Sequence, residues 1–257
     1  MVRVRVGMTS SREVSTIGHV DIEGAQKTDD QAASRAEMTD FEQLSVGGQT
    51  PRAYLSVPGD ARAGVVVLHA WWGLNDDVTA YADRLVDAGF AVLAPDMFGG
   101  QVATTEEDAE RLSQEGDAGI AGDVAWAAID RLAAELGPDA PIAVLGWSFG
   151  AAYAIWAPSV RERANATVAY YGTYTDTFIA EANAPLLGHF AEVDPFTSED
   201  DIRELEEAYR KAGRDITTYR YPGTGHWFAE PSRPEYRADA ADLAFERTVD
   251  WLRNALG

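Results

Sequence analysis

The sequence predicts an α/β protein: a mostly parallel, doubly wound sheet flanked by helices, with an N-terminal hairpin. Three observations lead there. Six compact apolar runs recur along the chain, each of the length expected for a strand covered on both faces. Stretches of helical period separate them. Two short alternating runs joined by a glycine pair precede the first unit, which is a hairpin pattern.

In chain order, Phe41–Val46 and Arg52–Val57 are the hairpin strands, joined by Gly47-Gly48-Gln49-Thr50. The apolar runs are Val65–Ala70, Phe90–Pro95, Pro141–Leu145, Thr167–Tyr171, Pro185–Ala191 and Thr217–Tyr221. The helices predicted between and after them are Val78–Ala88, Ala118–Leu136, Gly150–Ala157, Ser198–Ala212 and Tyr236–Ala255. Ile202, Leu205, Ala208, Tyr209 and Ala212 form a helical stripe, Ser198 is a fitting N-cap, and Gly89 and Gly213 are stop signals. Strands alternating with helices require crossover connections and hence parallel pairing. Residues 1–37 read differently, with mixed charge and no apolar period, as a flexible extension; residues 38–257 read as one domain. A start at Met38, where the periodic pattern begins, is the alternative to a functional arm.

Composition narrows the function. Cysteine is absent, which excludes disulfides, thiolate metal sites and a cysteine nucleophile. The 42 acids against 21 basic residues give a net charge of −21, which argues against nucleic acid and anionic membrane as partners. There is no apolar segment of signal-peptide type and no run long enough to span a bilayer, so a cytoplasmic location is expected. Only Lys27 and Lys211 are lysines, and aspartate outnumbers glutamate. This composition resembles that of proteins from salt-loving archaea, whose self-repelling carboxylate surfaces are screened by molar salt.

The chemistry is carried by Gly146-Trp147-Ser148-Phe149-Gly150, a G-x-S-x-G pentapeptide directly after a strand and directly before a helix of small residues. A sharp strand-to-helix turn strains the serine backbone, and glycines two before and two after it remove side chains that would clash. Serine is a poor nucleophile at neutral pH and needs a base. His226, in the glycine-rich segment Pro222–Phe228 past the last strand, is the first candidate, with His69 at a strand end as the fallback. His189 sits inside an apolar strand as a core residue, and His19 lies in the extension. In the α/β-hydrolase chain order the orienting acid falls between serine and histidine. Asp194 fits, with Glu192 as competitor; Asp96 precedes the serine and reads as a loop-fixing residue. An oxyanion hole needs two amide donors, here Phe149 and Trp71. Trp72, Trp147, Tyr171, Phe196 and Trp227 fall near the same strand ends and are the expected pocket walls.

These residues together resemble the dienelactone hydrolase family of α/β-hydrolases. The likeness covers about residues 40–257. It rests on His69-Ala70-Trp71-Trp72-Gly73, on Asp83-Arg84-Leu85 with Gly89–Phe98, on the serine turn, on Asp194 and on Gly225-His226-Trp227-Phe228. The resemblance implies an α/β-hydrolase fold and hydrolysis of a carboxylic ester or lactone, with no metal or organic cofactor. Well-known family members carry a cysteine nucleophile and a glutamate that tends it; the matching positions here are Ser148 and Ala70. The family's arginine that holds a substrate carboxylate is matched by Glu230, which points to an uncharged substrate. The expected function is therefore a Ser148–His226–Asp194 hydrolase of a small-molecule ester or lactone, as monomer or homodimer. The rivals are the same triad acting on thioesters or amides or as an acyltransferase, with Gly99–Asp117 available to build a lid, and a non-catalytic binding homologue.

Overall fold

Among the described residues eight strands form one sheet. They are β1 (Asp40–Gln43), β2 (Arg52–Ser56), β3 (Gly64–Leu68), β4 (Ala91–Pro95), β5 (Ile142–Trp147), β6 (Ala164–Tyr170), β7 (Leu186–Val193) and β8 (Ile216–Gly225). Their spatial order is β1-β2-β4-β3-β5-β6-β7-β8. β1 and β2 pair antiparallel, β2 runs antiparallel to β4, and every remaining pairing is parallel. The computed structural model describes residues 40–115, 118–175 and 177–257, so the expected extension at residues 1–37 lies outside them.

Every residue of β3, β4 and β5 is buried. That is why these runs are apolar throughout rather than alternating, each enclosed Val or Leu contributing about 1.5–3 kcal/mol over its exposed state. The covering helices are α1 (Asp76–Asp87), α2 (Glu106–Glu115), α3 (Ala118–Leu136), α4 (Phe149–Val160), α5 (Glu199–Lys211) and α6 (Ala238–Leu256). Tyr81 of α1 meets Phe245 of α6 with ring centres 5.3 Å apart, and Trp126 of α3 meets Trp156 of α4 at 5.0 Å. No helix among the described residues is long and apolar enough to cross a membrane.

The structure departs from the sequence expectations at four places. β1 ends at Gln43, and the hairpin closes instead through an isolated bridge between Val46 and Gln49, with Gly47 and Gly48 at φ 54° and 83°. The segment Gly99–Asp117 contains α2, whose buried stripe includes only Ala109 and Leu112 between charged residues. Its N-terminus is marked by Thr105, whose hydroxyl accepts the Asp108 N–H. α4 runs past Pro158 to Val160; the Ala154 carbonyl that the proline cannot serve accepts the Thr167 hydroxyl instead. Finally, β8 continues through Pro222–Gly225, expected as loop. It is an edge strand, where a residue without an N–H is tolerated, and it stays paired with β7 past a bulge between Ala191 and Val193.

Candidate active site

Strand register brings the site together. Trp147 of β5 pairs with Tyr170 of β6, so the next residues, Ser148 and Tyr171, emerge side by side. Val193 of β7 pairs with Gly225 of β8, so Asp194 and His226 emerge side by side one step further along the sheet. All four stand beyond the carboxyl ends of parallel strands, where open α/β sheets present their functional groups.

Ser148 has φ 49° and ψ −107°, a conformation that costs a non-glycine residue of order 1–3 kcal/mol. Its neighbours make room for it. A Cβ on Gly146 would stand 2.2 Å from the Gly150 carbonyl oxygen, and one on Gly150 would stand 2.3 Å from that of Leu68. The Ser148 amide donates to the Tyr170 carbonyl at 2.9 Å. Although Ser148 is the N-cap of α4, its side chain makes no cap bond. Its Oγ lies 2.8 Å from His226 Nε2 instead.

His226 Nδ1 lies 2.8 and 2.7 Å from the two Asp194 oxygens. A carboxylate can only accept there, so Nδ1 carries the proton and Nε2 is left as the acceptor for the serine hydroxyl. Asp194 Oδ1 also takes the N–H groups of Phe196 and Thr197 at 2.8 and 3.0 Å, which fixes the carboxylate plane. Both side chains are 3% exposed. Phe149 is the first residue of α4, so its amide has no partner within the helix. The Trp71 amide stands in the segment that follows β3.

The other candidates are engaged elsewhere. His69 is not a base for Ser148. Its Nε2 accepts the Met97 N–H at 3.0 Å, so its Nδ1–H donates to the Ala70 carbonyl at 2.6 Å, and burial lowers its pKa and keeps it neutral. It ties the segment bearing Trp71 to the loop after β4. His189 is a satisfied core residue, bonded to the hydroxyls of Tyr221 and Thr248, with a pKa pushed down by burial to about 3. Glu192 is exposed and accepts the Gly223 N–H at 2.7 Å. Asp96 fixes its loop by accepting the N–H groups of Phe98 and Gly100.

Of the expected walls, Trp72, Phe196 and Trp227 form one aromatic cluster with the Trp71 ring, with ring centres 5.2–5.9 Å apart. Phe196 is 45% exposed and its ring centre lies 4.8 Å from that of His226. Trp147 is a correction. The strand pleat turns its ring inward, fully buried against Tyr81 and Tyr170, so it presents nothing to a ligand. Tyr171 is also enclosed, although its ring centre lies 5.1 Å from that of His226. The segment expected to build a lid rests on the aromatic loop: the Ala103 N–H donates to the Trp72 carbonyl, and Gly73, at φ 89°, leaves space that a Cβ would take from the Gln101 carbonyl.

One group was not foreseen in its setting. Glu230 is fully buried, and its Oε1 accepts the Tyr171 hydroxyl at 2.9 Å. Burial first, then the nearby carboxylates of Asp77 and Glu235, push its pKa up to about 8, against the Tyr171 bond and Arg233. No pattern in the sequence marks a lone glutamate after the apolar tripeptide Trp227-Phe228-Ala229 as buried.

The sequence model of the dienelactone hydrolase family matches residues 52–256. The chain belongs to this family. The dienelactone hydrolase family places it among hydrolases, and two curated relatives match most of its length. A carboxymethylenebutenolidase of Pseudomonas putida is 29% identical over 223 residues, spanning 81% of this chain and 93% of its own. Protein usf of Aquifex pyrophilus is 28% identical over 232 residues, spanning 86% and 99%. Among solved structures, a dienelactone hydrolase-like promiscuous phosphotriesterase from metagenomic libraries superposes with a TM-score of 0.76. It is 23% identical and the match covers 85% of this chain and 98% of that one, which places the fold.

Proposed function

We propose that this dienelactone hydrolase family member is a serine hydrolase that cleaves an uncharged carboxylic ester or lactone through an acyl-enzyme. The observation that carries the reading is the continuous chain from Ser148 Oγ through His226 to Asp194, with every link between 2.7 and 2.8 Å, mounted on a strained turn. Ser148 Oγ attacks the carbonyl carbon as His226 Nε2 takes its proton. The oxyanion is received by the Phe149 and Trp71 amides, and removing one such donor typically costs about 10²–10³ in rate. His226 returns the proton to the departing alkoxide, and water then repeats the cycle on the acyl group with His226 again as base. Asp194 orients the imidazole and stabilises the imidazolium.

The aromatic cluster of Trp71, Phe196 and Trp227 beside His226 supports an apolar substituent on the substrate, and with Glu230 in place of the family's carboxylate-holding arginine an anionic one would find no cation there. The lysine-poor, acidic composition supports a cytoplasmic setting rich in salt.

A fluorophosphonate tests the reading. Ser148 Oγ displaces fluoride from phosphorus, its proton passing to His226, and the product is a stable phosphonyl serine. Intact mass should show one adduct on the folded protein in high salt and none on Ser148→Ala; an unlabelled, folded parent protein would refute the assignment. Turnover of a p-nitrophenyl ester, lost in Ser148→Ala, separates a hydrolase from a binding homologue.

A further inference from the structure

We infer that Glu230 is a positioning residue of this site: a neutral, buried carboxyl that anchors Tyr171, through which both the imidazole and the carboxylate of the Ser148–His226–Asp194 chain are held. The inference rests on the hydrolase reading above.

Tyr171 occupies a junction. It follows β6 as Ser148 follows β5, and its φ of 38° is a conformation that a bulky residue holds only when its surroundings impose it. Three contacts impose it. Its amide donates to the His189 carbonyl at 2.7 Å. Its carbonyl accepts the Thr197 hydroxyl at 3.2 Å, and the Thr197 N–H in turn holds Asp194 Oδ1. Its hydroxyl donates to Glu230 Oε1, while its ring lies against the His226 ring. One side chain thus braces the base directly and the acid through Thr197, and Glu230 fixes its far end.

Glu230 itself is enclosed on all sides. Its second oxygen, Oε2, is buried with no hydrogen-bond partner among the described residues. The charged and titratable groups around it are Tyr171 from the end of β6, Asp77 from α1, and Arg233 and Glu235 from its own segment, with His226 beyond the Tyr171 ring. Asp77 is committed to the N–H and hydroxyl of Ser232. Arg233 stacks over Trp72 at 4.0 Å. An ionised Glu230 would therefore leave a buried negative oxygen uncompensated, next to a second carboxylate, whereas the protonated form leaves only an unpaired hydroxyl, a much smaller cost. Above the range in which Glu230 stays protonated, the anion is relieved only by moving toward water, and Tyr171 then loses its anchor.

The test measures the rate constant for Ser148 phosphonylation by a fluorophosphonate across about pH 6–10, each protein normalised to its own value at pH 7. This readout follows the nucleophile and base alone and needs no identified substrate. The parent protein should lose rate on the alkaline side with a midpoint near about 8. Glu230→Gln, which keeps the shape and an acceptor for Tyr171 but cannot ionise, should lose that alkaline limb. Tyr171→Phe has no hydroxyl for Glu230 to hold, so ionisation of Glu230 no longer releases the ring and the limb should be lost there too.

An alkaline limb that persists in Glu230→Gln, or its absence from the parent protein, overturns the inference. Should Glu230→Gln fail to fold, a limb that persists in Tyr171→Phe overturns it equally. A folded parent protein that takes no adduct at any pH sinks the hydrolase reading and this inference with it; labelling with an unchanged limb in both variants sinks this inference alone.

Discussion

Ser148 holds the N-cap position of α4 and caps nothing. Elsewhere in the chain such residues serve their helices: Asn75 accepts the Val78 N–H and Ser198 accepts the Asp201 N–H. The uncommitted hydroxyl leaves Ser148 free for His226, and the strained φ that keeps it off the helix is what Gly146 and Gly150 make room for. This much is local, so it was legible in five letters of sequence. Trp147 and Glu230 were not legible in the same way, because the side of the sheet a ring takes and the enclosure of a carboxyl are decided by distant residues such as Tyr81 and Asp77. Two of the buried titratable groups, Glu230 and His189, also shape how stability varies with pH. Glu230 has a folded pKa of about 8 against an ordinary 4.5, so the folded state binds the extra proton between those values and stability falls as pH rises through them. His189 has a folded pKa of about 3 against 6.5, so the unfolded state binds the extra proton and stability falls as pH drops below 6.5. Between about pH 6.5 and 8 only Glu230 of this pair acts. Over that window the Tm of the parent protein should fall by a few degrees, since unequal binding of one proton is worth about 1.4 kcal/mol per pH unit. Glu230→Gln should be flatter, and a calorimetric Tm series that shows equal slopes would refute the assignment.

At the scale of elements, the strands and the longer helices followed from periodicity, and α3 matched its predicted bounds residue for residue. α2 escaped because two buried residues in a charged decapeptide do not make a periodic stripe; its Thr105 cap was the available signal. The last four residues of β8 escaped because Pro222-Gly223-Thr224-Gly225 has the composition of a turn, while its extension is set by the partner strand. α5 shows how local chemistry and tertiary contact combine. Ser198 and Asp201 form a reciprocal capping box, and on the same helix Glu199 and Glu206 receive Arg220 of β8 at 2.9 and 2.8 Å. Ser198→Ala removes the cap acceptor and should lower stability by about 1 kcal/mol in denaturant titration. Because Ser198 follows the Asp194 turn closely in sequence, the same variant reports whether the helix start steadies the acid: fluorophosphonate labelling should slow less than the triad variants do.

For the molecule as a whole, charge outweighs individual ion pairs. The pairs at the surface use arginine, as in Arg84–Asp242 and Arg131–Glu135, and exposed pairs contribute about 0–1 kcal/mol each. They leave a net −21 whose mutual repulsion acts against the compact state. Raising KCl from about 0.1 M to about 2 M shortens the screening length from about 10 Å to below about 3 Å. The repulsion should weaken more than the pairs do, and Tm should rise; a flat or falling Tm would rule out the halophilic reading. The pairing of Val193 with Gly225 has a consequence of another kind for this molecule. It makes the spacing of acid and base a property of backbone hydrogen bonding between neighbouring strands, whereas Trp71 and Phe196, on connecting segments, carry the walls. On the proposed reading, proton transfer and substrate choice thus rest on different parts of the fold, so a wall side chain can be exchanged while the strand pairing that spaces Asp194 and His226 stays in place.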